Sequence, residues 1–222
     1  MRMPRAVALL IALVLVVSVA AAVTSRNASV SLGALLVLLP SAVVQGQLWR
    51  LVTWPFLEGD PLGLLFSCYA LYWVGRDLTE QWGQSRFLLR ALGLTLVTGV
   101  LTTGLALLWP GLGAAGAWPV LSGLIVMWGL VFRTRSLHFL GGFSLTGLRV
   151  AQVAVGITVL YALFVGLAPF VPHFIAEALG FVVMSGWRLR RGSPPATKKQ
   201  RGPAQVFSFA DWHAENEKNR KN

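Results

Sequence analysis

The chain has 222 residues, of which 55% are apolar and 12% charged, with a formal net charge of +11. Soluble domains carry about 25% charged residues, so this composition excludes an ordinary water-soluble fold and suits a lipid environment. The charge does not point to nucleic acid, because nine of the nineteen Lys and Arg follow Trp187 in a Pro-, Lys- and Asn-rich tail. Cys68 is the sole cysteine, so no intramolecular disulfide is possible, and within its apolar run it reads as a small packing residue.

Residues 6–23 follow Arg2 and Arg5 and are apolar except for Ser18. This run is longer than a signal-peptide core of about 7 to 15 residues, which predicts an uncleaved first span. Residues 24–60 hold an apolar stretch broken by Pro40 and are too interrupted for a span. Apolar runs follow at 61–75, 91–109, 118–132, 150–171 and 173–187, so six spans are expected.

Lys and Arg are enriched in short cytoplasmic connections. Here Arg2 and Arg5 precede the first run, Arg76, Arg86 and Arg90 follow the second, Arg133, Arg135 and Arg149 follow the fourth, and Arg188, Arg190 and Arg191 follow the sixth. Every second connection is basic, which predicts that both termini face the cytoplasm. The fold class expected is all-α: a six-helix transmembrane bundle over residues 1–190, then a basic, solvated, disordered tail over 191–222. Phe207, Phe209 and Trp212 are a candidate docking segment within that tail.

The second, fourth and sixth runs have 15 residues each, about 22 Å of helix against a hydrocarbon core of roughly 30 Å. Helices anchored inside and ending early outside imply a wet pit open to the outer surface. Polar residues within spans are costly and often functional. Ser122 near the start of the fourth run, His173 at the start of the sixth and Ser67 near the outer end of the second fall at similar depth. A serine becomes a nucleophile when a base takes its proton, which makes Ser122 and His173 a candidate dyad. From spacing alone, a serine bonded to its own helix and a histidine capping one is the favoured account. Glu177 lies four residues after His173, on the same helical face, and is a candidate to orient it, the alternative being a protonated or water-bonded acid deeper in the pit. His138, His173 and His213 lie in separate regions and no phosphate-binding or dinucleotide motif is present, so neither a metal nor a cofactor is expected.

Several stretches together resemble the rhomboid family of intramembrane proteases. GQLWRLVTWPFLEGDPLGLLFS at 46–67, with its Trp49-Arg50 pair, is similar to the family's first outer loop and second helix, and Gly75 and Gln81-Trp82-Gly83 are similar to the connection that follows. Ser122-Gly123 takes the place of the family's G-x-S-G, and His173 with Gly180 seven residues on takes that of its histidine and small residues. Gly113-Ala114-Ala115-Gly116 also fits that motif, with Ala115 for serine, which would mean a dead enzyme. The 51 residues from Ser122 to His173 favour Ser122.

The resemblance implies a serine protease in the cell membrane that cleaves membrane-anchored substrates near the outer leaflet, with Ser122 as nucleophile and His173 as general base. It also shows departures. Glu58 and Gly63 stand where the family commonly has histidines, Ser67 where it has the asparagine that helps hold the oxyanion, Val120 for the first glycine of G-x-S-G and Thr79 for a glutamate. Ser67, Gly63 and Glu177 are therefore the candidate supporting residues. The alternative is an inactive family member that binds transmembrane clients.

Overall fold

The structure is a computed structural model and describes residues 3–27, 31–138 and 144–191. The chain divides into two units, Met1–Trp187 and Arg188–Asn222. The first carries the fold described below. The expected disorder of the tail and its docking segment at Phe207, Phe209 and Trp212 lie outside the described residues.

Helix α1 runs over Arg5–Asn27. The interrupted stretch after it folds as three short helices, α2 at Leu32–Leu36, α3 at Pro40–Val44 and α4 at Arg50–Thr53, and a 3-10 turn at Trp54–Phe56. Then come α5 at Pro61–Trp82, α6 at Gln84–Ala106 and α7 at Trp118–Val131. A small antiparallel hairpin pairs β1 at Ser136–His138 with β2 at Ser144–Thr146. Helix α8 at Gly147–Val165, a 3-10 turn at Ala168–Phe170 and α9 at Val171–Arg191 complete the order.

Among the described residues, four helical segments are long and apolar enough to cross a bilayer: Arg5–Ser25, Gln84–Ala106, Gly147–Val165 and Ala168–Gly186. Trp118–Val131 is a shorter apolar helix, and α5 carries Arg76, Asp77 and Glu80 in its second half. The expectation of three truncated helices is corrected: α5 has 22 residues and α9 has 21, and only α7, with 14, is short. The apolar runs end at charges, but the helices do not. Charged side chains tolerate a helix, and Arg76 even pairs with Glu80 one turn on at 3.0 Å.

Helix α7 is the axis of the bundle. Eleven of its 14 residues are buried, among them Leu121, Leu124, Met127 and Trp128, as expected of a helix apolar on every side. The outer surface is apolar as well. Leu9, Val16 and Val19 on α1, Leu89 and Val100 on α6, and Ile157, Leu163 and Phe164 on α8 are all exposed, as suits helices that face lipid.

Two polar clamps organise the ends. The buried Arg50 guanidinium donates to the carbonyls of Ala34 and Val37, at 2.8 and 2.7 Å, and to Gln47 Oε1 at 2.7 Å, which gathers the short helices around it. Far along α5, Asp77 Oδ2 accepts from the buried Trp128 indole on α7 at 2.9 Å and from Arg135 beyond it at 2.7 Å. Trp128 also packs against Trp73, with ring centroids 4.7 Å apart. Asp77→Ala leaves a buried indole N–H without an acceptor, and is expected to cost about 1 to 3 kcal/mol. Thermal unfolding in detergent should show a lower midpoint for Asp77→Ala and a smaller loss for Asp77→Asn, which keeps a carbonyl acceptor. An unchanged midpoint for Asp77→Ala would refute the clamp.

Candidate active site

The site is built where α7 crosses α9. A Cβ added to Gly123 would meet the Ala176 carbonyl oxygen at 2.6 Å, and one added to Gly180 would meet the Gly123 carbonyl oxygen at 2.6 Å. The two backbones therefore touch through small residues, the usual means by which membrane helices approach closely. Ser122 immediately precedes Gly123, and His173 precedes Ala176 by about one turn. The crossing thus carries both side chains to one cavity of about 600 Å³, whose walls also include Glu58, Ala115, Trp118, Thr158, Tyr161 and Phe170.

Ser122 is buried, and its Oγ donates to the Pro119 carbonyl at 2.9 Å, the back-bond typical of a helical serine. No hydrogen bond joins it to His173 in this structure. The His173 ring packs on Phe170 at 5.2 Å between centroids. It lies beside the Pro169 carbonyl, but its buried Nδ1 has no partner at hydrogen-bonding geometry. Glu177, the candidate to orient His173, has other partners: its Oε1 accepts from Thr158 Oγ1 on α8 at 2.6 Å, and its carboxylate lies close to the Ser122 hydroxyl. Residues four apart share a helical face, but each side chain still finds its own partner, and α7 and α8 supply those of Glu177.

The supporting residues of the second helix sit apart from the cavity. Ser67, 1% exposed, donates its hydroxyl to Glu58 Oε1 at 2.6 Å. The same oxygen accepts the Ala117 amide, at the N-cap of α7, at 2.8 Å. Gly63 donates its amide to Asp60 Oδ1 at 2.7 Å and so belongs to the cap of α5. Glu58, which the sequence marked only as a departure, is thus the residue that reaches the cavity from this region. No local signal pairs an acid at position 58 with an amide 59 residues later.

Ala115, the rival for the serine position, also lines the cavity but precedes the helix, whose first residue is Trp118. Ser122 lies just past Leu121, whose amide bonds the Ala117 carbonyl at 2.8 Å, so its own N–H falls within the helical ladder. Among the described residues no three His, Cys, Asp or Glu side chains gather as metal ligands.

The crossing predicts a graded response at Gly180. Gly180→Ala forces its Cβ onto the Gly123 carbonyl, an overpacking expected to cost about 1 to 3 kcal/mol. Gly186, on the same helix, has nothing within 4 Å of an added Cβ, so Gly186→Ala is expected to leave stability intact or raise it. Paired thermal melts check this, and equal midpoints for the two variants would contradict the crossing.

A family model of the rhomboid domain matches residues 45–191, a span that runs from the end of α3 through α9 and includes every residue of the cavity. A search of curated proteins finds no match. With two thirds of its length matched by that model, and with apolar helices long enough to cross a bilayer, the chain belongs to the rhomboid family of membrane-embedded proteins.

Proposed function

We propose that this protein is a slow intramembrane serine protease, in which Ser122 and His173 act as a dyad on membrane-anchored substrates. The observation that carries the reading is the glycine crossing of α7 and α9, which presents both side chains to one cavity. Rotation of Ser122 away from Pro119 frees its hydroxyl for His173, and hydrogen bonds of this kind are often loose before substrate binds. His173 then takes the Oγ proton as Oγ attacks a peptide carbonyl, and passes that proton to the leaving amine as the C–N bond breaks. Water, deprotonated in turn by His173, hydrolyses the acyl-enzyme. As part of the same reading, six helices span the cell membrane, with both termini cytoplasmic by the distribution of Arg.

The reading implies low rates. The Ser67 hydroxyl, which stands in the place of the family's oxyanion-holding residue, is committed to Glu58, and a missing donor costs about 10²- to 10³-fold. That commitment is also the observation that favours the second reading, a non-cleaving family member that binds transmembrane clients.

A fluorophosphonate probe separates the two. Purified protein in detergent is expected to label slowly, with labelling abolished in Ser122→Ala and strongly reduced in His173→Ala. No labelling of the wild type, or equal labelling of all three proteins, excludes the dyad and leaves client binding.

A further inference from the structure

The cavity beside Ser122 and His173 has a chemical character of its own. Of its lining residues, Glu58 is the only one that carries a carboxylate, and no Lys or Arg shares the wall. Its Oε1 is held by the Ser67 hydroxyl and the Ala117 amide, at 2.6 and 2.8 Å. Both are neutral donors, so the carboxylate is fixed in place while its charge is not cancelled. Its Oε2 receives no hydrogen bond from the described residues and lies toward Gly116, where an added Cβ would approach it to 3.2 Å. Gly116 has φ of +91°, a conformation that favours glycine, so this side of the carboxylate is left clear.

Opposite charge is matched by aromatic surface. Tyr161 and Phe170 lie with centroids 6.1 Å apart, and Phe170 continues to His173 at 5.2 Å. Trp118 completes the lining on the α7 side. A carboxylate and aromatic rings that line one cavity are a setting that attracts organic cations, through Coulomb attraction and the negative faces of the rings. One carboxylate is too few for a metal ion, and about 600 Å³ is roomy for a lysine or arginine side chain.

We propose that Glu58, with Trp118, Tyr161 and Phe170, forms a subsite for a lysine or arginine side chain of the polypeptide segment that enters this cavity. The proposal rests on the reading that the cavity receives a protein client, but not on whether that client is cleaved. Glu58 thereby has two roles. One oxygen caps α7, and the other selects for positive charge near the residue presented to Ser122.

The test uses full-length protein in a maltoside detergent, which carries no cation. Three short fluorescein-labelled alanine–glycine peptides, identical except for a central arginine, citrulline or glutamate, are titrated by fluorescence anisotropy. Citrulline keeps the shape of arginine without its charge. The arginine peptide is expected to bind about tenfold tighter than the citrulline peptide, the glutamate peptide most weakly, and the preference should weaken with added salt. Glu58→Gln retains a carbonyl oxygen for Ser67 and Ala117 and is expected to erase the preference. Tyr161→Leu leaves the Glu58 hydrogen bonds untouched and should reduce it, which keeps the test decisive if Glu58→Gln fails to fold. Equal binding of arginine and citrulline peptides to the wild type, a preference that survives Glu58→Gln, or no binding of any peptide overturns the subsite. Fluorophosphonate labelling of Ser122 in the same preparation reports separately on the dyad, so a labelled protein without arginine preference rejects the subsite alone.

Discussion

The close contact of α7 with α9 is the constraint on which the rest depends. In lipid, apolar side chains gain little by leaving one apolar surroundings for another, so helices associate by dense packing and by bringing backbones together. Gly123, Ala176 and Gly180 permit that approach on one side of α7. On another side Gly129 lies so near α8 that a Cβ would reach the Gly147 carbonyl oxygen at 2.5 Å. A short helix, gripped by glycine contacts on two sides, has little freedom to shift. Ser122, next to one of those glycines, inherits that rigidity, as does His173, a turn away from the contact on α9.

Glu58 is the second organising element, because it ties the start of α7 to a segment far away in the chain. A helix N-terminus leaves amides without intrahelical partners, and α7 begins at an alanine and a tryptophan, neither of which offers a capping oxygen. Glu58 supplies it from a distant loop, and that loop is in turn tied to α1, where Ser18 donates to the Phe56 carbonyl and accepts the Glu58 amide. The arrangement steadies the start of the helix that carries Ser122. It also occupies the Ser67 hydroxyl. Under the proteolytic reading proposed above, the contact that steadies α7 also removes a donor that an oxyanion would need.

Much of this was legible in the sequence, because it depends on local pattern. Apolar run length and charge placement located the long helices, with ends that differ from the structure by up to seven residues. Pro40 and the mixed stretch after it marked the connection that folds into short helices around Arg50. Ser122-Gly123 and His173 with its following small residues identified the two side chains that meet at one cavity, since close helix contact leaves a mark in sequence as small residues at helical spacing.

What the tertiary structure alone decided are matters of partnership. Hydropathy ends at Arg76 but the helix does not, so the lengths of α5 and α9 were misjudged by reading the limit of apolar character as the limit of helix. Spacing put Glu177 on the face of His173, yet Thr158 and Ser122 approach it from other helices. Ser67 and Gly63 had the right positions for support but their donors face Glu58 and Asp60. The sequence by itself determined that this chain belongs in a membrane, and it singled out a serine and a histidine that line one cavity. Which donors remain free to act was decided by contacts between segments tens of residues apart, which no local pattern encodes.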